Sequence, residues 1–137
     1  MTHDFHGMLS AVGQVVRAAK ACQPNYAHLL LQIQVPRLKD RFVWINSENR
    51  HLSDELDVYT RQYGSSAVEA GEIAGESLGW DEELALCERQ TRSLLEACES
   101  VLRHQCLNLF PELFQHMTRR RDFVRENLRW LQNLRAA

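Results

Sequence analysis

The stretch 37-RLKDRFVWINSENRHLSDELDVYTRQY-63 decides the fold. Within it Leu38, Phe42, Ile45, Asn49, Leu52, Leu56, Tyr59 and Tyr63 follow one another by 4, 3, 4, 3, 4, 3 and 4 residues. On a helix, steps of that size place side chains on a single stripe, and an apolar stripe has to be covered by other helices. Asn49 is the one polar residue in it. Trp44, His51 and Val58 recur every seven residues on the flank of the same helix, where they suit either a dimer contact or the wide inner face of a bundle helix.

Working outward, the flanking segments carry the same periodicity, and period-two alternation is missing over any useful length. Toward the N-terminus, Phe5, Leu9, Val12, Val16, Ala19, Tyr26, Leu30 and Ile33 are spaced by three, four or seven residues. Pro24 lacks an N–H donor and predicts a kink or short break in that rod. Val35-Pro36 marks the boundary, because proline suits the first turn of the next helix. Gly64 ends the second helix, and "GSSAVEAGEIAGESLGW" (64–80) holds four of the six glycines. Asp81 can cap a third helix, whose apolar side reads Leu84, Cys87, Leu94, Leu95, Cys98, Val101, Leu102 and Leu109. After Pro111 a fourth helix carries Leu113, Met117, Val124, Leu128 and Leu131. Helices are therefore expected at about 5–34, 37–63, 81–109 and 111–135, with a crossover at 64–80, all within one domain spanning 1–137.

Connection lengths choose a topology for this all-α four-helix bundle. Short joins at Pro36 and Pro111 make helices one and two antiparallel, and likewise three and four. The middle join has 17 residues and can reach about 56 Å when extended, whereas a helix of about 26 residues is only about 39 Å long. The chain can thus travel the length of the bundle and leave helices two and three parallel. Short, long, short is the ferritin-like arrangement.

From about Leu9 to Leu134 the chain resembles the small bacterial ferritin-like bundles of unknown function. Four features carry the resemblance: Pro36 opening helix two, "RLKDRFVWINSENRHLSDEL" along it, the Gly-rich crossing that ends in "GESLGW", and "LLEACESVLRHQ" in helix three. It is a pattern of positions without a diagnostic motif. Some members of the broad superfamily bind two irons, and others of the same shape have no known activity. The resemblance therefore raises a di-metal site as an expectation to be tested.

Such a site takes a glutamate from each of two helices and Glu-x-x-His from each of the other two. Carboxylates bridge the ions and balance their charge, while imidazoles supply neutral ligands. Helix two offers Glu48 and His51 at that spacing, and helix three offers Glu96 or Glu99. Helix one offers none, since no acidic residue stands between Asp4 and Asp40. In helix four Glu112 and His116 lie four apart at its very start, and Glu126 is followed three residues later by Arg129. Two of the four contributions are missing, so a complete site is not expected. An arginine from helix four, where Arg120 and Arg121 interrupt the apolar stripe, is expected to pair with a glutamate in the polar middle of the bundle. The fold-back at Pro111 places Glu99 opposite Arg121 to Arg125.

Composition narrows the remaining possibilities. The 137 residues carry a formal charge of −2, which supplies no drive toward nucleic acid or anionic membrane. Fourteen arginines stand against two lysines, and six of them lie between Arg119 and Arg135. A stripe of that kind most often faces solvent or acidic neighbours. Cys22, Cys87, Cys98 and Cys106 form no Cys-x-x-Cys pair and sit among apolar residues, as buried free thiols do in a reducing compartment. The N-terminus has no basic n-region of a signal peptide, and no apolar run nears the roughly 20 residues of a membrane span. A soluble, cytoplasmic protein is expected. The histidines show no metal-binding spacing on a shared face, Cys106 near His104 is a weak nucleophile signal, and the crossing glycines lack the Gly-Lys-Ser/Thr of a phosphate loop.

The expected role is therefore non-enzymatic, with no catalytic residues and no cofactor. It works through protein–protein contact as a homo-oligomer, a dimer in the simplest case, with neither membrane nor nucleic acid as partner. The alternative is a metal-binding protein holding iron, manganese or zinc at an irregular site of Glu48, His51 and Glu99.

Overall fold

The computed structural model describes residues 2–62 and 78–136. Among the described residues there are four long helices and one short 3-10 turn: α1 (Thr2–Gln32), α2 (Pro36–Gln62), α3 (Trp80–Leu102), the turn Gln105–Leu109, and α4 (Pro111–Ala136). Among the described residues there is no strand, and the arrangement is consistent with a four-helix bundle.

Pro36 and Pro111 each open a helix, where a missing N–H costs nothing because first-turn donors have no intrahelical partner. The break expected as one outcome at Pro24 is absent. Helix α1 runs through it without interruption. Its neighbours Cys22, Tyr26 and Leu29 are buried against the other helices, and that packing offsets the lost backbone bond. Helix α1 is also more fully enclosed than its first stripe implied. Met8, Val15, Cys22 and Leu29, each seven residues after the last, form a second buried row beside Val12, Val16, Ala19 and Tyr26.

Two boundaries of α3 also differ from the sequence pattern. The residue preceding it is Gly79, in extended conformation and without a side-chain cap, so Asp81 lies inside the first turn rather than at the cap. There Asp81, Glu82 and Glu83 oppose the positive end of the helix dipole. At the other end α3 stops at Leu102 instead of continuing to Leu109. His104 leaves the helical region (φ −79°, ψ 123°). Asp4 of α1 holds the departing chain, with Oδ1 2.9 Å from His104 Nδ1 and Oδ2 accepting from the Cys106 N–H at 2.5 Å. A helix-like apolar spacing cannot reveal a tertiary carboxylate that satisfies the backbone by another route.

Contacts between helices set their directions. Near one end His28 of α1 meets Glu83 of α3, Tyr26 Oη lies 3.4 Å from Thr91 Oγ1, and at the other end Asp4 meets His104. Helices α1 and α3 are therefore antiparallel. Phe42 against Trp130, Glu48 against Arg120 and Glu55 against His116 make α2 and α4 antiparallel as well. Glu88 with Arg135 and Glu99 with Arg125 do the same for α3 and α4. The crossing expected at 64–80 lies almost wholly outside the described residues. Just before α3, Leu78 N–H donates to Glu83 Oε1 at 2.8 Å and Gln32 Nε2 donates to the Leu78 carbonyl at 3.1 Å.

Candidate functional site

Helix α2 faces α4 across a seam built from long side chains. Trp44 packs edge-on to Phe123 with ring centres 4.9 Å apart, and the Arg41 guanidinium lies 5.1 Å from the Trp44 ring and 5.2 Å from the Trp130 ring. Cation–π contacts of this kind let a charge sit among aromatic groups without a carboxylate. About one and three turns beyond Trp44 on α2 the seam becomes ionic. Arg120 Nη1 donates to Glu48 Oε2 at 2.6 Å, and its Nη2 lies 3.5 Å from Glu55 Oε2. The Arg120 side chain is only 15% exposed. His116, one turn earlier on α4, places Nε2 2.8 Å from the same Glu55 oxygen without the alignment of a hydrogen bond. Burial holds the imidazole below its ordinary pKa; Glu55 opposes that shift, and Arg120 and Arg119 reinforce it.

The three residues considered for a metal are dispersed. Glu48 is engaged by Arg120, His51 is exposed on the outer side of α2, and Glu99 on α3 lies 3.8 Å from Arg125 in a solvent-exposed pair. Among the described residues no three His, Cys, Asp or Glu side chains converge as a metal would require. The expected proximity of Glu99 to the α4 arginines is present, and Arg121 lines a cavity of about 300 Å³ with Glu96, Glu99, Leu102 and Arg103. Yet Arg120, more enclosed than Arg121 or Arg125, reaches across to α2 rather than to α3. Folding back about Pro111 orders α3 against α4 and says nothing about α2, so Glu55 and His116 were not foreseen as partners.

Two further polar contacts join distant parts of the chain. Glu83 is 1% exposed and serves both Leu78 and His28, tying the start of α3 to α1. At the opposite end, Asp4 and Cys106 line a cavity of about 610 Å³ with Gln105, Asn108 and Leu109. Hydrogen bonds from His104 and from the Cys106 backbone lower the Asp4 pKa. A Cβ on Gly7 would come 3.1 Å from His104 Cε1, so glycine permits this close docking of α1. Cys22, Cys87 and Cys98 are buried free thiols as expected, with Cys87 and Cys98 pushed up to about 12 by desolvation, whereas Cys106 is half-buried.

Several large apolar side chains face outward, among them Trp44 (45% exposed), Val58 (61%) and Phe114. Comparison with protein-family models, with curated protein sequences and with solved structures finds no match to this chain.

Proposed function

We propose that this chain is a non-enzymatic helical bundle of ferritin-like topology that lacks a complete di-metal site and works through protein–protein contact, in its simplest form as a homodimer. The antiparallel pairs α1–α3, α2–α4 and α3–α4 support the topology. With α1 and α2 joined by a short turn, they leave α2 parallel to α3, the arrangement that an end-to-end crossing through 64–80 would serve.

The observation that carries the functional reading is the position of Arg120. Its guanidinium stands between Glu48 and Glu55 close to the midpoints of α2 and α4. Fixed positive charge there neutralises the carboxylates that two cations would otherwise need. The outward apolar side chains of α2 supply the contact surface. Among the described residues no helix is long and apolar enough to cross a membrane.

Light scattering on a size-exclusion column, combined with metal analysis of protein purified without chelators, tests the proposal. The expected outcome is a mass above that of the 15.9 kDa monomer and metal well below one ion per chain. Stoichiometric iron, manganese or zinc, lost on Glu48→Ala, would overturn it.

A further inference from the structure

The side of α2 that points away from the core carries a second ladder of helical steps. Asp40, Trp44 and Ser47 lead to His51, and Asp54, Val58 and Arg61 follow, at intervals of 4, 3, 4, 3, 4 and 3 residues. The spacing matches that of the buried stripe, displaced by two positions and so by about 200° around the helix. Six of these side chains are exposed and Ser47 is half-buried.

We propose that this ladder is where two copies of the chain meet, with their α2 helices antiparallel across a twofold axis at His51. The assembly rests on the interaction role proposed above and assigns it a surface and a partner. The warrant is self-complementarity. Run in the opposite direction, the ladder is its own counterpart: Asp40 meets Arg61 of the second copy, Trp44 meets Val58, Ser47 meets Asp54, and His51 meets itself. The four pairings share one register to within one residue; the first three occur twice each and the His51 contact once, on the axis, as a twofold contact requires. A parallel alignment would instead stack Asp40 on Asp40, Asp54 on Asp54 and Arg61 on Arg61, which like-charge repulsion disfavours.

The charged ends of the ladder are available for such a contact. Asp40 and Asp54 are exposed. Among the described residues Arg61 is paired with Asp57 at 2.9 Å within the same helix, with its own side chain 67% exposed; intrahelical pairs of that type are weak. Trp44 is already fixed edge-on by Phe123. A pre-positioned aromatic loses little rotamer freedom when a second surface covers it.

Size sets the strength to be expected. The ladder extends about 32 Å at 1.5 Å per residue on a helix about 10–12 Å across. Two such strips fall below the roughly 1,600 Å² of a standard stable interface, so the dimer should dissociate reversibly in the micromolar range.

Sedimentation equilibrium over about 1–300 μM reads that range. Asp40→Arg, which sets two arginines against each other at both ends, should weaken the dimer at least about tenfold, and Arg61→Asp should do the same. The double variant Asp40→Arg/Arg61→Asp restores opposite charges and should recover the wild-type constant to within about threefold. Val58→Ser, which removes the apolar partner of Trp44, should also weaken it. Because these positions are exposed, far-UV circular dichroism should show unchanged helix content in every variant. A dimer indifferent to all these changes would place the contact on another face, overturning the ladder and leaving the interaction role intact. A monomer across the whole range would overturn the ladder and self-association together.

Discussion

Arg120 shows how much a single side chain can determine. A planar guanidinium presents its donors in a fork, so one residue reaches Glu48 at 2.6 Å and approaches Glu55 at 3.5 Å. Without it, two carboxylates on α2 would face a seam that also receives Arg41, Trp44 and Trp130. Arg120→Leu should therefore lower stability by about 1–2 kcal/mol, the usual scale for hydrogen bonds to charged groups that are partly shielded from water. Arg120→Lys should recover only part of this, because a compact ammonium lacks the spread, fixed fork of donors with which the guanidinium spans the two acceptors. Urea unfolding followed by circular dichroism measures both changes. A loss under about 0.5 kcal/mol would mean that water already does the work of the pair, as at an ordinary surface salt bridge.

Among the elements, α2 is the one whose stripe most directly organises the others. Phe42 touches an aromatic ring from each of the remaining helices: Tyr26 of α1 at 5.7 Å, Trp80 of α3 at 6.3 Å and Trp130 of α4 at 5.1 Å. It is fully buried, so truncation leaves a hole bounded by rigid rings that cannot easily collapse. Phe42→Ala should cost about 3–5 kcal/mol, against about 2 for an aliphatic position able to relax. Chemical denaturation of the two variants Phe42→Ala and Leu128→Ala makes the comparison, since Leu128 lies nearer the surface of the same core. Equal losses would show that the aromatic junction has no special weight.

For the molecule as a whole, acid should weaken the fold in two separate ranges of pH. His116 is released on unfolding to an ordinary imidazole near 6.5, while in the fold burial holds it lower. Below 6.5 the unfolded chain thus binds more protons than the folded one, and stability falls with pH. Asp4 acts in the same direction further down. Its folded pKa lies beneath 3.8, so the stabilisation from its bonds to His104 and Cys106 is present above that value and lost as pH drops through the region below it. His116→Gln should flatten the first decline and leave the second unchanged. Denaturation midpoints at a series of pH values from about 7.5 to 3 reveal both slopes. An unaltered upper slope in the variant would assign that decline to another group.

What the sequence determined by itself is the set of elements and their inward faces. The steps of three and four residues in α2, the prolines at 36 and 111, and the absence of acidic residues between Asp4 and Asp40 are local facts, and a helix converts local spacing directly into a face. Tertiary structure alone decided where α3 ends, how α1 passes through Pro24, and which glutamate meets Arg120. Each of these depends on groups far apart in the chain: Asp4 reaching His104 and Cys106, the helices packed around Cys22 and Tyr26, α4 laid against α2. The physical reason is that apolar periodicity specifies which side of a helix is covered, whereas a charge or an unsatisfied backbone group is matched only by whatever the packing brings within about 3 Å of it.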